Sequence, residues 1–263
     1  MPKASKRKRV APDATEEAEG DDPQAANQAK RFRSSFADTM IILAGEDKVP
    51  FIVHTGTLRA KSEFLDAAFQ REWLEGQSKT VNLPEVRPEI FELYATWSYF
   101  GRINIEALRL AMTMIAIKPA PPLPRDTPEQ WNMWSRGILS LIQLYVAADF
   151  LGDVELKKGA IDGLTVIVEA RRFLNGIKDL ISIVWNSTPP RSGLRTFFMD
   201  YIISSSNKIH KRVATYEPDL PGEFFVDLAI HQLRRNRNSR ISPQYKPLPS
   251  RKHMYYDGYE SDE

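Results

Sequence analysis

Two short apolar runs, separated by a four-residue polar turn, open the segment from 38 to 101 and constrain the fold more than any other feature. Ile41-Ile42-Leu43 ends the first run, Gly45-Glu46-Asp47-Lys48 is the turn, and Phe51-Ile52-Val53-His54 is the second run. The pattern predicts a β-hairpin, with strands over Phe36–Leu43 and Val49–His54. Pro50 has no amide donor, so it belongs at the start of a strand or on an edge. Thr55 or Thr57 can cap a following helix, in which Leu58, Leu65 and Phe69 recur near helical spacing with Phe64 to one side. Thr80–Leu83 predicts a third strand, with Val81 and Leu83 on one face. Pro84 ends it. Pro88 falls in the first turn of a new helix, and Glu89 is favourable near its positive end. Ile90, Leu93, Tyr94 and Trp97 share one face of that helix, and Gly101 closes it.

Composition sets the outer limits. At 263 residues and 42% hydrophobic, the chain can bury a sizeable core in one domain plus an extension. The absence of cysteine removes disulfides, thiolate metal sites and cysteine nucleophiles together. The apolar runs all fall short of the roughly 18 residues of a membrane span, and the basic N-terminus lacks the apolar stretch of a signal peptide. No membrane association is expected.

Net charge is only +2, but its placement is uneven. Five basic residues stand in 1–9 and six acidic ones in 13–22, with almost no apolar surface nearby. Residues 1–33 therefore read as a disordered charged tail. Residues 234–252 carry seven bases and no acid, and the last eleven residues carry four acids. This gives a second tail over 234–263, basic and then acidic. Lys6, Arg7, Lys8 and Arg9 match a basic nuclear import signal, which favours the nucleus slightly over the cytoplasm. The C-terminal bases lack interleaved aromatics and any nucleic-acid-binding signature, so a nucleic-acid partner is the weakest alternative.

The order of elements from 38 to 101 closely resembles the BTB/POZ domain, a protein-interaction fold. Asp38 stands where the family opens its first strand. His54, Leu58 and Ser62 hold the family's spacing of a His, a Leu four residues on and a Ser eight on. Leu83-Pro84 follows the third strand, Phe91 sits in the next helix, and Tyr99-Phe100-Gly101 ends it. Thr55 stands where the family usually has Lys. The resemblance implies an α+β fold: a short β-sheet flanked by a cluster of α-helices, plus a C-terminal helical extension. It also implies that Asp38 and His54 are buried or half-buried polar groups near the core and a dimer surface, tolerated only with hydrogen-bond partners.

The domain is read as 34–170 with a proline-rich insertion at about 118–128, and the helical extension as 171–233. Five prolines in residues 118–128 impose an extended, polyproline-like course. Within it Pro121, Pro122, Leu123 and Pro124 resemble a WW-domain ligand, a candidate docking loop. Apolar periodicity then marks five helices. Their core positions are Ile138, Leu141, Ile142, Tyr145, Ala148 and Leu151; Val154, Ile161, Leu164 and Val168; Ile177, Leu180, Ile181 and Val184; Leu194, Phe197, Phe198, Tyr201 and Ile202; and Phe224, Phe225, Leu228 and Ile230.

The four histidines are scattered without metal-ligand spacing, and no phosphate loop, nucleophile elbow or carboxylate cluster is found outside the tails. No catalytic residue, metal or cofactor is expected. The reading is a non-enzymatic interaction module acting as scaffold or regulator through protein partners. The alternative is a substrate adaptor for a cullin-type ubiquitin ligase, although the chain carries no separate substrate-reading domain. Self-association as a homodimer is expected from the family, whose members often pair through an apolar face around the first helix.

Overall fold

The computed structural model describes residues 38–70, 74–103, 128–171, 177–204, 211, 213–215, 217–237 and 255–256. Three strands form one sheet in the order β2-β1-β3: β1 (Thr39–Ala44), β2 (Val49–His54) and β3 (Thr80–Leu83). β1 and β2 are antiparallel, with Ile41 opposite Ile52 and Leu43 opposite Pro50. β3 runs parallel to β1, with Ile42 opposite Val81. Strand side chains alternate between faces, so Met40, Ile42 and Ala44 are buried while Thr39 and Ile41 are exposed. Pro50 sits on the edge strand, as its missing donor requires. Gly45 and Lys48 take positive φ in the hairpin turn (73° and 53°). A Cβ on Gly45 would lie 2.9 Å from Pro88 Cδ.

The helix expected after β2 is two helices. α1 (Thr55–Arg59) stops, and α2 (Glu63–Ala68) begins after Ser62 adopts an extended conformation. Ser62 Oγ accepts from the Leu65 amide, satisfying one of the free donors at the start of α2. Leu58, Leu65 and Phe69 are nevertheless all buried, so the apolar pattern survives the break. Neither Thr55 nor Thr57 caps α1: His54 holds the N-cap position without a side-chain bond, and the Thr55 hydroxyl donates instead to the Asp38 carbonyl. A short helix, α3 (Leu74–Ser78), precedes β3 and was not foreseen.

α4 (Pro88–Phe100) begins at a proline, and Gly101 terminates it in the left-handed region at φ 65°. Its amide donates to the Trp97 carbonyl. Ile90, Phe91, Leu93, Tyr94 and Trp97 form its buried face.

α5 (Pro128–Leu151) joins two cores. Leu139, Leu144, Ala147, Ala148 and Leu151 pack with the sheet, α1, α2 and α4. Ile138, Leu141, Ile142 and Tyr145 pack with α6 (Val154–Arg171), α7 (Ile177–Ser187), α8 (Gly193–Ser204) and α9 (Gly222–Arg237). A helix apolar on opposite sides is buried rather than amphipathic. This explains why the residues marked from sequence as one face are divided between two cores. Two core assignments fail: Val154, the first residue of α6, is 50% exposed, and Ile230 is 43% exposed on α9.

Arg195, 2% exposed, ties α7, α8 and α9 together. Its guanidinium donates to the Trp185 and Thr188 carbonyls, to Thr188 Oγ1 and to Asp227 Oδ2, and it pairs with Glu223. It also lies over the Trp185 ring. Such a buried charge is tolerated because its donors find partners.

The expected C-terminal tail needs correction. α9 runs to Arg237, beyond the boundary at 233, and Tyr255 is fully buried in the helical core.

Candidate interaction surface

The family-motif residues divide into three groups. Leu58, Leu83 and Phe91 are sealed in the sheet core, where Phe91 packs against Phe51 at 5.0 Å between centroids. Ser62, Pro84 and Gly101 shape the backbone: a buried helix cap, an exposed turn residue and a left-handed helix end. His54 and Tyr99 meet at the end of the sheet where Asp38 leads into β1.

There the Tyr99 hydroxyl accepts from the His54 amide at 3.0 Å and lies 2.8 Å from His54 Nδ1. An O–H that accepts from the backbone can donate to an unprotonated ring nitrogen, so the pair closes on itself. The Asp38 carbonyl accepts from the Thr55 amide, and its carboxylate pairs with Lys79 at 2.8 Å. Asp38 is not buried as the resemblance implied; its side chain is 53% exposed. Its backbone fastens β1 to α1, and its side chain reaches outward to Lys79. His54 is half-buried, as expected. Lys6–Arg9 and Pro121–Pro124 lie outside the described residues.

Sequence reasoning passed over the outer face of the sheet. Ile41 and Ile52 face each other across β1 and β2, and both are exposed, Ile52 at 76%. Val49 and Pro50 are exposed on the same edge strand. The alternation in Met40-Ile41-Ile42 held this signal, because burying Met40 and Ile42 turns Ile41 outward. On the helical side, Phe64 and Phe150 pair at 5.0 Å and are also exposed.

A polar network behind the sheet was also missed. Asp153 caps α6 by accepting from the Leu156 amide, and it accepts from Trp97 Nε1 at 3.1 Å. Burial raises its pKa, and these hydrogen bonds oppose the rise without cancelling it. Burial, with the Asp153 charge second, also raises the Tyr94 pKa. These groups join α4 to α6 inside the fold and do not line a reaction site. Among the described residues no cluster of His, Asp and Glu is placed to hold a metal ion, and no helix is long and apolar enough to cross a membrane.

Among the described residues the small sheet is walled by helices, β2 is its outermost strand beside β1, and Ile41 and Ile52 are exposed. Residues 28–118 match the family model described as the BTB/POZ domain. That family is one of protein–protein interaction domains and not of enzymes. The match ends before α5, yet Leu139, Leu144, Ala147, Ala148, Leu151 and Leu156 complete the core that the matched strands begin.

Proposed function

We propose that this chain is a scaffold or regulator that holds a protein partner on the outer face of its sheet. The observation that carries this reading is the exposed Ile41–Ile52 pair across β1 and β2, with β2 an outermost strand of the sheet among the described residues. An apolar patch on a strand at the edge of the described sheet suits an extended partner segment, with the isoleucines supplying selectivity. A second copy of the chain could occupy the same face as a homodimer.

The adaptor reading, in which a cullin is the partner, draws on a different observation. α5 belongs to both cores, so the helical extension is fixed to the BTB module and can present one composite surface.

Affinity purification of tagged full-length chain, wild type and Ile52→Asp, with mass spectrometry of the bound proteins, tests both. Partners held by wild type and lost by a folded Ile52→Asp chain support the scaffold reading. Partners retained by both remove the sheet face from the mechanism. A cullin recovered equally by both selects the adaptor reading.

A further inference from the structure

Tyr255 and Tyr256 occupy the helical extension in two different ways. The Tyr255 side chain is fully buried, edge-on to Phe197 of α8 with 5.4 Å between centroids. Tyr256 is half-buried against α6. Its hydroxyl donates to Asp162 Oδ1 at 2.7 Å, and Lys158 Nζ lies 5.7 Å from its ring centroid.

We propose that the surface formed by α6 and α8 is a docking site for a short peptide carrying two adjacent tyrosines, with this chain's own Tyr255–Tyr256 segment as its occupant. The site reads two features at once. Phe197 and its neighbours take an aromatic ring out of water, the larger source of affinity. Asp162 then asks the next residue for a hydroxyl donor. Burial and the Asp162 carboxylate both raise the Tyr256 pKa, so the phenol remains protonated and able to donate. A phosphorylated tyrosine would instead bring a near-dianion against Asp162 and the neighbouring Glu155.

Covalent attachment explains how such a short segment stays bound. A tethered ligand has an effective concentration on the order of millimolar, so an intrinsic dissociation constant of about 0.1 mM suffices for occupancy.

The test uses full-length chain and a fluorescent peptide of residues 250–263, read by anisotropy. The Tyr255→Ala chain, whose site is vacated, should bind the peptide with a dissociation constant of about 0.1 mM. Wild-type chain should bind it at least about tenfold more weakly, because the tethered segment competes. Peptides with Tyr255→Ala, or with phosphotyrosine at 256, should not bind. Equal binding by both chains, no binding to a Tyr255→Ala chain with native circular dichroism, or binding of the altered peptides would overturn the proposal. Should Tyr255→Ala fail to fold, the Asp162→Ala chain decides. Hydrogen exchange at the 255 and 256 amides should then accelerate about tenfold, and unchanged exchange overturns the proposal.

Discussion

Ser62 donates its hydroxyl to the Leu151 carbonyl at the end of α5, while the same oxygen accepts from the Leu65 amide at the start of α2. One small side chain thus satisfies a free acceptor at one helix end and a free donor at another, across 89 residues of sequence. The end of α5 is otherwise closed by backbone bonds, Gly152 N–H to Asp149 O and Asp153 N–H to Ala148 O. Ser62 supplies the partner that this closure leaves out. Ser62→Ala should therefore destabilise the chain by about 1–3 kcal/mol, more than loss of a solvent-exposed cap. Urea denaturation checks this; a change below about 0.5 kcal/mol would show that the two helix ends are not coupled through Ser62.

Glycine substitutions should rank by what their new Cβ meets. Gly45 and Gly101 both have positive φ, 73° and 65°. A Cβ on Gly45 comes within 2.9 Å of the Pro88 ring, whereas one on Gly101 meets nothing within 4 Å. Gly101→Ala should cost about 1–2 kcal/mol, the conformational term alone. Gly45→Ala should cost at least about 1 kcal/mol more, because Pro88 is fixed at the start of α4 and cannot move aside freely. Thermal denaturation of the two variants gives the order, and equal losses would contradict the close approach.

Arg195→Ala should be among the most damaging single changes in the extension, at about 3–5 kcal/mol, because it removes the cation that holds α7, α8 and α9 together. Arg195→Lys keeps the charge but cannot reproduce the planar fork that reaches two carbonyls and Asp227 at once. It should still cost about 2 kcal/mol. If lysine restores full stability, charge alone is what the site needs.

These examples also mark what could be read in the sequence. Period-two and period-3.6 patterns located β3, α4 and the core of α7 because each has one dominant buried face. Local pattern could not divide α1 from α2, since the apolar spacing of Leu58, Leu65 and Phe69 is indifferent to a break that a single Ser62 hydroxyl stabilises. It could not foresee that α5 serves two cores, because the second core is built from residues after 154. The surface isoleucines were overlooked for a related reason: a three-residue apolar run suggests burial on both faces, and only the pleat shows that Ile41 points out. Arg195 and Tyr255 lay beyond reach altogether. Arginine and a near-terminal tyrosine both read as surface residues until their distant partners are known.

Asp153 gives the chain a pH dependence of defined sign. Burial raises its folded-state pKa above the ordinary aspartate value, so at intermediate pH the folded chain holds this proton more tightly than the unfolded chain does. Stability from this group is therefore fully present below the unfolded-state pKa. It declines as pH rises through the interval up to the folded-state pKa and is constant above it, with a slope of at most about 1.4 kcal/mol per pH unit for one proton. Asp153→Asn removes the titration. It keeps a carbonyl oxygen for the Leu156 amide but turns a second donor towards Trp97 Nε1. The variant should be less stable than wild type, and the gap should narrow as pH is raised from 4 to 7. Urea midpoints for both chains across that range decide the matter: a gap that widens with pH would mean that the hydrogen bonds from Trp97 and Leu156 outweigh burial.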